Sequence, residues 1–178
     1  MRIISGKFKG KRIQEDKKIT ARPTTDFAKE GLFNLLNNNI DFEDISVLNL
    51  FAGTGSIGFE FISRGCKEVI AIEKSDREIA YINKICKELH IDNHYTYKTD
   101  VFRYIESCRM KFDVIFADPP YELNGIELIP SMIFERDLLV NDGIFILEHS
   151  GKQQFDTHPN FSFHRKYGNV NFSFFEKK

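Results

Sequence analysis

The chain has 178 residues, 42% hydrophobic and 29% charged, enough for one domain that buries a core without disulfide or metal staples. No apolar run is long enough to cross a bilayer, and Cys66, Cys86 and Cys108 lie too far apart, with no histidine pair at ligand spacing, to frame a zinc site. The formal net charge of -1 hides a segregation: residues 1–30 hold nine Lys/Arg against four Asp/Glu, and the remainder sixteen against 22, so a basic end precedes an acidic body and points to a polyanionic partner.

The opening "MRIISGKFKGKR" lacks the apolar stretch and cleavage site of a secretory signal, and a soluble, cytoplasmic monomer without metal or membrane partner is expected. Apolar and basic residues alternate around Gly6 and Gly10, which predicts a small exposed strand pair with Ile3, Phe8 and Ile13 among its contacts. After "ARPTT", Thr24 or Thr25 caps a helix carrying Ala28, Leu32, Leu35 and Leu36 at helical spacing, ending near residues 37–39. From residue 45 short apolar runs alternate with helical segments: "VLNLF" (47–51), "VIAIE" (69–73), "YTYKTD" (95–100), "FDVIFAD" (112–118) and "GIFILEH" (143–149). Successive βα units and a mostly parallel sheet follow from that order. "FSFHRKY" and "VNFSFF" flank Gly168-Asn169, so the chain is expected to end in an antiparallel hairpin, giving seven strands in all.

Three features carry chemistry. "LNLFAGTGSIGFE" sets Gly53, Gly55 and Gly58 as G-x-G-x-x-G between a strand and a helix, with Glu73 at the end of the next strand. Glycines there let the backbone turn and approach a nucleotide, and the acid accepts two ribose hydroxyls, a spacing that NAD enzymes share. Asp100 and Asp118 close the third and fourth strands, so each early strand presents a polar group at the edge where open α/β sheets bind ligands. At "DPPY", Pro119 pushes Asp118 out of helical geometry and leaves a rigid, extended carboxylate, followed by the flat face of Tyr121.

"RPTTD", "LFAGTGSIGFE", "DPPY" and "YGNVNFSFF", in this order along essentially the whole chain, resemble the bacterial RsmD-type 16S ribosomal RNA guanine-N2 methyltransferases. The resemblance implies a Rossmann-like, S-adenosylmethionine (SAM)-dependent α/β fold, with residues 1–40 as a basic hairpin-and-helix extension and 41–178 as the methyltransferase domain. It implies that Gly53, Gly55 and neighbouring backbone, with Phe51 and Val101, hold the cofactor. Glu73 takes the ribose and Asp100 the adenine amino group, while Asn49 stands where an acid is usual and holds the ammonium end less strongly for want of charge. Asp118, Pro119, Pro120 and Tyr121 form the catalytic corner. Arg2, Lys7, Lys9, Lys11, Arg12, Arg22 and Thr24 are expected to contact ribosomal RNA, free or within the small subunit, although Arg22 and Thr24 suit a helix entry equally well.

An exocyclic amine conjugated to a base is a poor nucleophile. The Asp118 carboxylate and the Pro119 carbonyl can accept its two hydrogens and turn its lone pair toward a methyl donor, with Tyr121 stacked on the base. Other readings remain open: a DNA adenine or other amino-directed methyltransferase, an NAD-dependent oxidoreductase, and a non-catalytic RNA-binding ribosome assembly factor.

Overall fold

The computed structural model describes residues 1–14 and 24–178. The elements run α1 (Asp26–Asn37), β1 (Ser46–Leu50), α2 (Ser56–Ser63), β2 (Glu68–Glu73), α3 (Asp76–Glu88), β3 (His94–Lys98) and α4 (Val101–Ser107). There follow β4 (Phe112–Ala117), a 3-10 turn (Ile126–Leu128), α5 (Ile129–Glu135), β5 (Leu139–His149), β6 (Phe161–Tyr167) and β7 (Val170–Glu176). One seven-stranded sheet has the order β3-β2-β1-β4-β5-β7-β6. The first five strands are parallel, and β7 runs antiparallel to both β5 and β6.

The expected Rossmann-like, mostly parallel sheet with its closing hairpin is therefore present. Residues alternate between its two faces, as the strand period of two requires. Val47, Val69, Val114, Phe116 and Ile146 pack under α1, α2 and α3, whereas Leu48, Ile70, Ile115, Phe145 and Leu147 pack under α4 and α5. Strand β7 is buried along nearly all its length and takes the inner position. Strand β6 carries His164, Arg165 and Lys166 exposed and guards the edge, where charge discourages further pairing. Strand β5 starts at Leu139, earlier than the run at 143 indicates, because Leu139 pairs with Phe112 before an irregularity and the register resumes at Val114 and Ile144.

The basic start differs from the expected exposed strand pair. A single antiparallel bridge joins Arg2 and Arg12, and Ile3 and Ile13 are buried in the core beneath α1 and α2. The amides of Ile3 and Ile13 bond across that bridge to the carbonyls of Lys11 (3.0 Å) and Met1 (2.9 Å), and the donors between them are taken largely by α2. The Glu60 carboxylate, fully buried, accepts from the amides of Ile4 (2.9 Å) and Ser5 (3.0 Å) and pairs with Arg64 at 3.0 Å. The amide of Lys7 donates to the Ser63 carbonyl (2.7 Å) and that of Phe8 to the Ser63 hydroxyl (3.0 Å). Buried Lys29 donates to the Arg2 carbonyl (2.7 Å) and to Ser56 (3.0 Å), and burial lowers its pKa. At Gly6, φ is +79° and a Cβ would lie 1.7 Å from the Ser63 carbonyl oxygen, so only glycine permits this approach.

Candidate active site

The C-terminal edge of the parallel strands opens into a cleft of about 770 Å³, within the range of small-molecule sites. One end is built by the loop after β1. Phe51 (φ 56°), Gly53 (φ 54°) and Gly55 (φ 75°) all take left-handed backbone, which costs a non-glycine residue such as Phe51 about 1 kcal/mol or more. The turn is fixed by hydrogen bonds from the Gly55 amide to the Ala52 carbonyl (2.8 Å) and from the Ala52 amide to Ile72 of β2 (3.0 Å). Half-buried Glu73 faces this loop. One of its oxygens accepts from the Gly53 amide (2.9 Å), the other from the amides of Lys74 (2.9 Å) and Ser75 (3.0 Å), so the acid is held ready with lone pairs remaining for a hydroxyl-bearing ligand.

Phe51, Gly53, Glu73, Asp100 and Val101 line this end together. Gly55 does not. It caps α2, and a Cβ on it would meet the Phe59 ring at 2.9 Å, so its service is to the turn and to helix packing. Asp100 is exposed and caps α4 by accepting from the Arg103 amide at 3.2 Å. Asn49 lies between this end and the acidic corner, buried, and its Nδ2 has no hydrogen-bond partner among the described residues. An orphaned buried donor costs roughly 1–3 kcal/mol. It suits a ligand acceptor such as a carboxylate, and the amide oxygen can still accept from an ammonium. Loop, acid and orphaned donor thus fit a nucleoside carrying an amino-acid tail.

At the other end, Asp118, Pro119, Pro120 and Tyr121 follow β4. The turn is closed by the Leu123 amide donating to the Pro120 carbonyl at 2.8 Å, and Tyr121 keeps 44% of its surface exposed. Beside Asp118 lies a residue that the sequence reading missed, Glu148 of β5. Parallel pairing joins Ala117 to Leu147, and the next step of that register sets Asp118 next to Glu148 on the same face of the sheet. Glu148 is 4% exposed. It accepts from the hydroxyls of Thr24 (3.1 Å) and Tyr121 (3.4 Å), and no ion pair to it is present among the described residues. Burial pushes its carboxyl up to about 7 despite those two hydrogen bonds. The Asp118 carboxyl is pushed well above the usual carboxylate range, first by burial and then by the neighbouring charge of Glu148. The logic of acids at strand ends, applied to Glu73, Asp100 and Asp118, extends to Glu148 and was the signal available for it.

Thr24, expected at RNA, is instead buried with its hydroxyl committed to Glu148, while Thr25 caps α1 through the Ala28 amide (3.2 Å). Phe27, 67% exposed, stands edge-on to Tyr167 with ring centroids 6.1 Å apart. Both line the mouth of the cleft with the hairpin tip at Gly168 and Asn169. Arg2, Lys7, Lys9, Lys11 and Arg12 are exposed outside the cleft lining, Arg2 lying 3.5 Å from Asp26. Arg22 lies outside the described residues.

The model of the family described as Conserved hypothetical protein 95 matches residues 1–176. Ribosomal RNA small subunit methyltransferase D of Haemophilus influenzae is 32% identical over 155 residues, covering 83% of this chain and 78% of the relative. The Escherichia coli K12 protein of the same name is 26% identical over 167 residues, covering 93% and 83%. Among solved structures, a hypothetical protein of Thermus thermophilus has a TM-score of 0.86 with this chain over 99% of both, a likeness of fold at 22% identity. A family match along almost the full length, joined to that sequence identity and to the glycine loop and acidic corner of one cleft, means that the chain belongs to the Conserved hypothetical protein 95 family, the RsmD-type methyltransferases.

Proposed function

We propose that this protein transfers a methyl group from SAM to the exocyclic N2 of a guanine in small-subunit ribosomal RNA. The observation that carries the reading is that one continuous cleft joins Glu73 and the glycine loop at one end to Asp118 and Tyr121 at the other. Donor and acceptor sites for a group transfer must meet in this way. Bound SAM supplies the electrophilic methyl.

The remaining work falls to the chain. Glu73 accepts the ribose hydroxyls, and Asn49 Nδ2 donates to the amino-acid carboxylate. The Asp118 carboxylate and the Pro119 carbonyl accept the two hydrogens of the guanine amine, which frees its lone pair for attack. Asp118, whose burial raises its proton affinity, takes the proton that the amine loses. Tyr121 stacks on the base, a contact worth roughly 1–3 kcal/mol in single-stranded complexes. A base inside a helix is out of reach of this corner, so the target is flipped out or lies in a loop. Lys7, Lys9, Lys11 and Arg12, with Arg2, hold RNA phosphates.

The test is transfer of labelled methyl from SAM to unmodified small ribosomal subunits and to free 16S RNA, with nucleosides identified by mass spectrometry. N2-methylguanosine is expected. Label on adenine N6, or none on either substrate, overturns the proposal.

A further inference from the structure

The methyl-transfer chemistry uses Asp118 and leaves Glu148 unexplained. A carboxylate shut away beside another acid, with no cation paired to it among the described residues, costs stability, and an apolar residue would fill the space more cheaply. Its two hydroxyl partners also fix the local geometry. Tyr121 is tethered to Glu148 by its hydroxyl end, so a base lying over the Tyr121 ring can turn one edge toward Glu148 and Asp118 together. The cleft therefore offers two adjacent carboxyl acceptors to that edge, while the neighbouring hydroxyls of Thr24 and Tyr121 are already spent as donors to Glu148.

Among the bases with an exocyclic amine, guanine alone answers two adjacent acceptors with two adjacent donors, its N2 amine and its ring N1–H. Adenine and cytosine place a ring nitrogen acceptor next to their amines. We infer that Glu148 accepts the N1–H of the target guanine while Asp118 accepts from its N2 amine, which makes Glu148 the residue that selects guanine. This inference rests on the guanine-N2 reading above. Rejection arises because an acceptor facing Glu148 leaves a buried carboxylate opposed by a lone pair, an arrangement that discriminates more sharply than shape alone.

The experiment substitutes 2-aminopurine for guanine at the methylated position, once that position has been mapped in 16S RNA. 2-Aminopurine keeps the amine at C2, but its N1 is an acceptor without hydrogen. At about pH 8.5, where Glu148 is ionised, wild-type kcat/KM should favour guanine by at least about tenfold. Glu148→Gln, which offers a donor as well as an acceptor, should lose about tenfold of that preference while binding SAM as before. A merely structural role for Glu148 lowers both rates together and leaves their ratio unchanged. Equal use of guanine and 2-aminopurine by the wild type, or an unchanged ratio in Glu148→Gln, overturns the inference with the methyltransferase reading intact. Absence of any methylated guanine overturns that reading itself, and the inference with it.

Discussion

Glu148→Gln is expected to stabilise the cofactor-free protein at alkaline pH, although it alters a residue of the site. Burial raises the Glu148 carboxyl from its ordinary value of 4.5 to about 7. The unfolded chain therefore gives up this proton first as pH rises, and stability falls between about pH 4.5 and pH 7 and stays low above. A difference of about 2.5 between the two values, at roughly 1.4 kcal/mol each, bounds the full penalty at about 3–4 kcal/mol. No large discount for solvent screening applies, since Glu148 is 4% exposed. Asp118 is shifted in the same direction and steepens the same decline. Gln keeps an oxygen for one of the two hydroxyls and carries no charge. Urea unfolding of both proteins from about pH 4 to pH 9 should show nearly equal midpoints at the acid end and an advantage for the variant that widens to about 3–4 kcal/mol by about pH 7 and holds above it. A constant difference across that range, or a variant less stable at pH 8, refutes the view that desolvation outweighs the hydrogen bonds from Thr24 and Tyr121.

Asp118→Ala should lower methyl transfer by about two orders of magnitude or more with SAM affinity unchanged by calorimetry; equal losses in both would move Asp118 to the cofactor. Glu73→Ala should weaken SAM binding by about 1.5–3 kcal/mol, as expected for hydrogen bonds to a charged group, and a loss of RNA binding alone would contradict its placement. Glu60→Ala leaves Arg64 and the amides of Ile4 and Ser5 without their shared buried partner, so thermal and urea unfolding should show a loss of about 3–5 kcal/mol. For the same reason RNA binding by the arm is best tested without deleting it: changing Lys7, Lys9, Lys11 and Arg12 to Gln should flatten log K against log salt by about 0.7 for each phosphate no longer neutralised on single strands, with folding intact.

Local chemistry made much of this protein legible before any coordinates. The apolar runs at 47–51, 69–73 and 112–118 read as strands because a parallel sheet covered on both faces needs continuous apolar segments. The glycines after β1 and the prolines after β4 declare backbone geometry that few other residues allow. The same locality explains what stayed hidden. Glu60 and Arg64 look like an ordinary surface pair four residues apart on a helix, and Lys29 like a solvated charge. Glu60 and Lys29 are buried because the arm, some 55 residues away in sequence from Glu60, folds over them, and the Arg64 guanidinium lies over Phe33 and Phe42. The hairpin was readable from Gly168-Asn169, whereas the insertion of β7 between β5 and β6 depended on which strand could be buried on both faces. Gly55 shares the motif of Gly53, yet the turn directs it into the packing of α2 and away from the cleft. Glu148 carried only the signal of an acid near the end of an apolar strand. Its meaning came from the pairing of β4 with β5, which sets it beside Asp118, and from Thr24, 124 residues distant. Sequence determined the elements and the reactive groups within them, because those follow from neighbours along the chain; which groups share a buried space was decided by tertiary packing alone.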